Sequence, residues 1–158
     1  KVVVFDRGRL AEASRFLARR YLAYLPERLA RSFAVSVNWN DALVQRDLEA
    51  AEALVAPEFV MRDHRDGPVV TTERDAAIAG LRIILGDDLE LIDLVTDIHR
   101  VTERGAVVSR TQVTGELLDL DGGDVTLVAV RDDAIAELGL YEPWQKDDAI
   151  ARLESLSD

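Results

Sequence analysis

Three groups of side chains in this 158-residue chain have the types and spacing for acid/base chemistry or ligand binding. The first is Asp63–His64–Arg65. An imidazole flanked by charges serves as a general base near neutral pH. Equally, His64 or Asp63 caps a strand end and pairs with Arg62 or Arg65. The second is Asp97 and His99, two residues apart and so on one face of a strand. They form an acid/base pair if that face lines a cavity, and a solvated strand end if it does not. The third is Arg110-x-Gln112. Both side chains share one face of an otherwise apolar strand. Buried polar groups need partners, so this pair reads as pocket-lining. Trp39 and Tyr141 read either as the walls of an apolar cavity or as plain core.

Other chemistry is excluded or weakly supported. There are no cysteines, which removes disulfides, thiolate nucleophiles and cysteine–zinc sites. Asp119, Asp121 and Asp124 surround Gly122–Gly123, but the calcium-loop spacing and its distal Glu are missing. A hairpin turn explains them. His64 and His99 lie far apart in sequence, and no H-E-x-x-H or glycine-rich phosphate loop is present. No metal and no cofactor are expected.

These groups must be positioned by one ordinary domain. Apolar residues make up 48% and charged residues 31%, a globular balance. The net charge of −11 argues against nucleic acid and anionic membranes as partners. No apolar run is long enough to span a bilayer, and no signal peptide is visible, so a cytoplasmic location is expected. The charge is uneven. Residues 1–32 carry eight Lys and Arg against Asp6, Glu12 and Glu27, a net +5. Such an arm docks on an acidic body, its own or a partner's, or else forms a solvated helix face.

Apolar spacings of three and four run through Leu10, Ala13, Leu17, Tyr21 and Tyr24, one face of a helix. A second helix is predicted from Pro26 to Arg46, with Leu29, Phe33, Val37, Asn40 and Val44 on one face. Asp47 caps a third, which Pro57 ends. A strand over 59–64, a turn at 66–68 and a short return strand follow. Thr72 caps a helix through Leu85. Strands are then predicted at 89–102, 106–118, 125–131 and 134–141, joined by tight turns and so antiparallel. Pro143 starts a last helix carrying Ile150, Leu153 and Leu156. This order implies an α+β layer with a curved antiparallel sheet. Several strands are apolar on both faces, so the outer face must be covered. A homodimer through that face is the simplest cover.

The segments WNDALVQRDLEAAEALVAPEFVMRDHR (39–65), VTERGAVVSRTQVTG (101–115) and AIAELGLYEP (134–143) carry a resemblance. They are similar to SnoaL-like domains of the NTF2-like superfamily. The likeness is to the C-terminal domains of long actinobacterial multidomain regulators, and it covers residues 28–156. It implies a half-cone with helices on the concave face of the sheet and a pocket inside. Residues 1–27 would then be an added basic helical arm or linker, and 28–158 the domain. Epoxide-hydrolase-like relatives use an Arg-x-Asp pair with a second Asp on the last strand. Here Gln112 and Gly139 are read at those places, and neither carries the required proton. The chain therefore reads as a non-catalytic domain that binds a hydrophobic small molecule or dimerises. Its start at Lys1 suits a fragment of a larger regulatory protein, whose other domains are partners. The alternative is a SnoaL-type cyclase, isomerase or hydrolase working through Asp63, His64, Asp97, His99 or Arg110.

Overall fold

The computed structural model describes residues 9–86, 91–114 and 123–156. Three helices lead: α1 (Leu10–Leu22), α2 (Glu27–Val44) and α3 (Leu48–Ala53). Strands β1 (Val55–Asp63) and β2 (Val70–Glu73) precede α4 (Arg74–Gly86). Then come β3 (Leu91–Thr102), β4 (Gly105–Thr114), β5 (Asp124–Arg131), β6 (Ala134–Tyr141) and α5 (Lys146–Ser155). No helix among the described residues is long and apolar enough to cross a membrane.

The six strands form one sheet in the order β2-β1-β6-β5-β4-β3. Four pairings are antiparallel, as the tight turns require. The pairing of β1 with β6 is parallel, because the whole β2–β5 excursion separates them. The fold is the expected α+β half-cone, a curved open sheet with helices packed on it, although the β1–β6 pair makes the sheet mixed where an antiparallel one was expected.

Local signals explain most boundaries. The Asp47 side chain accepts from the Ala50 N–H at 2.9 Å and starts α3. Helix α3 stops at Ala53, earlier than Pro57 would dictate. Pro57 instead lies inside β1, where the register against β6 shifts between Val55 and Val60. A strand tolerates a residue without an N–H at such an irregularity. Thr72 sits within β2 and is not the cap of α4. Asp132 and Asp133 have φ of 50° and 63°, the geometry of a two-residue hairpin turn matched to strand twist. Of the turn predicted over Asp119–Asp124, residues 119–122 lie outside the described residues, and Asp124 already opens β5.

Side-chain alternation gives the sheet two different faces. On the inner face, Ala106 and Val108 pack on Phe33 and Val37 of α2. Val128, Ile135 and Leu138 pack there on Trp39 of α2 and Ile78 of α4. On the outer face, Val107, Val125, Leu127 and Ala129 are covered by Ala149 and Leu153 of α5. So one helix, α5, lies on the face opposite the others. The two-sided apolar pattern is met by a helix of the same chain. Around α5 the outer face carries charged side chains: Arg62 and Arg152 pair with Glu137, and Arg100 with Glu154.

Helix α1 docks on the body of its own chain. Ser14 Oγ donates to the Val95 carbonyl at 3.1 Å and accepts from its N–H at 3.0 Å. This covers part of the edge strand β3, whose free backbone groups would otherwise face solvent. The apolar stripe of α1 makes only part of the contact: Tyr21 meets Phe33 edge-on, with ring centroids 5.5 Å apart. Leu17 is 62% and Tyr24 74% exposed, whereas Ser14 and Ala18 are buried.

Candidate functional site

Beneath α4 the inner face is hollow. A cavity of about 160 Å³ lies between α4, β1, β6 and the C-terminal half of α2. Val55, Phe59, Met61, Ile78, Leu81 and Leu138 supply its walls, and Trp39 its α2 side. Thr72 is the one hydroxyl on the lining, and no titratable side chain reaches it among the described residues. Trp39 is 2% exposed, and its indole N–H has no hydrogen-bond partner among the described residues. An unmet donor in an apolar wall is costly to bury and is relieved by any acceptor placed against it.

A polar cluster lies further along α2. Arg110 Nη2 donates to Asn40 Oδ1 at 2.8 Å. Asn40 is 4% exposed. Asp41 accepts from Arg15 Nε at 2.7 Å and Arg19 Nε at 3.2 Å, both from α1. Only about 20 Å³ is open among these groups, enough for little more than one water.

The residues singled out from sequence separate into these two places and the outer face. Trp39 lines the apolar cavity, and Arg110 faces inward onto Asn40. The side chain of Gln112 lies outside the described residues. Tyr141 is not a second wall. It packs with Leu127, Ala149 and Leu153 under α5, on the far side of the sheet from Trp39. Burial raises the Tyr141 hydroxyl above its ordinary range, and Glu137 adds to this. Gly139 shares the outer face, since a Cβ there would lie 2.7 Å from the Tyr141 ring. The inner positions of β6 are therefore apolar, with Leu138 in the cavity wall.

Asp97 and His99 are also outside the cone. Asp97 stands opposite Ser109 across β3 and β4, on the face of Val125. His99 Nε2 meets Ser109 Oγ at 2.7 Å, and Nδ1 lies 3.5 Å from Asp97 Oδ2. Two irregularities of register in β3, between Val95 and Asp97 and between Ile98 and Arg100, bring these side chains together.

Asp63, His64 and Arg65 form a strand-end lock. Arg65 donates to Asp63 through its backbone N–H (3.0 Å), Nε (3.0 Å) and Nη2 (2.8 Å), and Nη1 reaches Asp124. The side-chain hydrogen bond from Arg65 holds the Asp63 carboxyl below the usual carboxylate range, and Arg65 is raised in turn. A carboxylate so held is a poor base at neutral pH. The His64 ring stacks on Tyr141 at 4.2 Å, and its backbone N–H donates to the Leu140 carbonyl at 2.8 Å. A pH dependence follows. A carboxyl depressed in the folded state stabilises above the unfolded pKa of about 4, and the contribution fades as pH falls through the folded value. Asp63→Asn is therefore expected to be about 1 kcal/mol less stable than wild type at neutral pH. The difference should close in acid. Urea denaturation at a series of pH values reads this, and a gap that persists at the acid end would refute it.

Asn40 and Asp41 were not singled out from sequence, although Asn40 was legible as a polar residue inside an apolar helical stripe. Ser109 carried no signal, because its pairing depends on irregularities in β3. Among the described residues no three acidic or histidine side chains gather in a way that could hold a metal.

Comparison with known proteins places this geometry. No curated protein matches the chain in sequence. Solved structures share its fold at low identity. An LEH-like epoxide hydrolase of M. tuberculosis superposes with a TM-score of 0.60 at 14% identity, covering 82% of this chain and 96% of that one. An NTF2-like protein of unknown function from Mesorhizobium loti gives 0.57 at 20% identity, covering 75% and 96%. A candidate ketosteroid isomerase from Kribbella flavida gives 0.56 at 18% identity, covering 72% and 78%. The family model of the SnoaL-like domain matches residues 37–138, from the middle of α2 to the middle of β6. By that match, the chain belongs to the SnoaL-like domain family.

Proposed function

We propose that this domain binds, without transforming it, a small apolar molecule bearing one hydrogen-bond acceptor in the cavity under α4. One observation carries the reading: an apolar cavity of about 160 Å³ lined by Trp39, whose buried indole N–H has no hydrogen-bond partner among the described residues. Apolar walls supply affinity, and a single polar group fixes orientation. A ketone or ester oxygen against Trp39 Nε1 satisfies both. Among the described residues the walls hold no acid or base to move a proton, which favours binding over catalysis. The likeness of segment 39–65 to C-terminal domains of multidomain regulators supports a sensing role inside a larger protein. The hydrolase and isomerase among the structural neighbours supply the second reading, acid/base catalysis on an oxygenated substrate.

Cyclohexanone separates the two. With Trp144→Phe removing the exposed indole, Trp39 is the one tryptophan left to report. Saturable change in its emission is expected. Trp39→Phe keeps a large ring and removes the donor, so ketone binding followed by NMR should weaken about fivefold, the worth of roughly 1 kcal/mol. The unliganded variant should lose about 1–2 kcal/mol, because the smaller ring leaves a larger void in the core, so binding is compared on protein shown to be folded. Absence of any saturable response would sink the binding reading. Exchange of the ketone's α-protons with D2O faster than in buffer would favour catalysis instead.

A further inference from the structure

Helix α1 is fastened differently from the rest of the fold. Several of its large apolar side chains point outward, with Leu17 62% and Tyr24 74% exposed. Its apolar anchorage is the buried Ala18, the partly buried Leu22 and the edge of Tyr21 against Phe33, and two polar ties complete it. One is Ser14 on the backbone of Val95. The other is Arg15 and Arg19 on the Asp41 carboxylate, whose side chain is 7% exposed. Few buried apolar contacts and polar anchors mark a segment that opens below the cost of global unfolding. The turn between Leu22 and Pro26 gives it a place to pivot.

What α1 covers has the makings of a site. Arg15 and Ala18 roof a small void on the inner face, whose floor carries Ser36, Asn40, Asp41 and Arg110. Ser36 is 9% exposed, and its hydroxyl has no hydrogen-bond partner among the described residues. Arg110 is tied to Asn40. The chemistry that this floor recognises is displayed by its present occupants: two guanidinium groups of the same chain converge on one buried carboxylate. Lifting α1 takes both cations from Asp41 and leaves its carboxylate to water or to another cation, and a cation held under a reclosed roof is favoured over none.

We propose that α1 is a displaceable strap acting as an internal ligand, and that the chamber beneath it is a second site for a small guanidinium or primary ammonium compound. The incoming cation takes the place of Arg15 and Arg19 on Asp41, and Ser36 offers it a further hydrogen bond. This site is separate from the apolar cavity and does not depend on the reading given for that cavity.

The test uses the full chain and agmatine, a small guanidinium compound with a primary amine. Hydrogen exchange should show α1 amides opening about tenfold or more faster than those of α2 and β4. Arg15→Ala/Arg19→Ala should speed α1 exchange further and leave β4 and β5 unchanged. The same double variant should bind agmatine about tenfold more tightly than wild type, because the internal competitor is gone. Asp41→Asn should abolish that binding. Exchange of α1 in step with α2 would overturn the strap. Equal agmatine affinity in wild type and double variant, or none in either, would overturn the site. If Asp41→Asn does not fold, the comparison of wild type with the arginine variant still decides.

Discussion

Gly105→Ala is expected to cost more than about 3 kcal/mol and to leave the protein close to unfolded at physiological temperature. Gly105 opens β4 with φ +142°, a region that residues with a Cβ rarely enter. A Cβ there would lie 1.9 Å from the Val128 carbonyl oxygen and 2.9 Å from its carbon. Those atoms are backbone of β5, locked in register against β4 by Gly105–Ala129 and Ala106–Val128 pairing. Relief therefore means parting β4 from β5, and with them the packing of Ala106 and Val108 on α2. Gly67 is the internal control. Its φ is +120°, yet a Cβ there meets nothing within 4 Å. Gly67→Ala should cost only the conformational penalty, about 1–2 kcal/mol. Urea denaturation followed by circular dichroism compares the two. Equal losses would mean that the steric clash at Gly105 is absorbed, and that the β4–β5 pairing is softer than its geometry implies.

The contrast between those glycines shows what is legible in a sequence. Glu103–Arg104–Gly105 reads as a hairpin turn from composition alone. The approach of β5 that makes Gly105 irreplaceable is tertiary and leaves no local trace. Likewise, the antiparallel meander from β3 to β6 follows from strand lengths and turns, whereas the parallel β1–β6 pairing joins segments more than seventy residues apart. Helix α1 was legible as a helix, but its apolar stripe named the wrong face. Arginines and a serine dock it beside Ala18, Leu22 and the edge of Tyr21, so periodicity of apolar residues could not say which side is buried. The charge imbalance could: a basic arm on an acidic body does pair with it, through Asp41.

The candidate site was half legible for a similar reason. Arg110 stood out as a charge within an apolar strand, and the inner face is where it lies. Tyr141 and Trp39 looked alike as buried aromatics, and only strand parity separates them. That parity is reset by the shift between Ala129 and Val130, which puts Ile135 and Leu138 on one face and Glu137 on the other. An irregularity of one residue thus moves every candidate on β6 between cone and outer surface. The cavity itself was not legible, because a void is defined by side chains of α2, β1, α4 and β6 together.

Leu153 decides whether the outer face belongs to one chain or to two. Leu153 is fully buried in α5, against Val107, Val125, Leu127 and Tyr141. Leu153→Ala should cost about 3 kcal/mol, combining lost burial with a cavity that α5 can only partly close. Leu153→Lys should do more than destabilise. It places a cation against an apolar strand face, so α5 lifts and the face of β4 and β5 is bared. An uncovered apolar patch on a sheet recruits another surface. Sedimentation velocity should then show a monomeric wild type and a self-associating Leu153→Lys variant. That pair of results would assign the cover to α5 and leave a homodimer through this face without a driving force. A wild-type dimer that Leu153→Lys dissociates would assign the face to both, with α5 shared at the interface. The apolar pattern on both sides of β4 and β5 is the same in either case; what differs is whether the residues after β6 suffice to bury it.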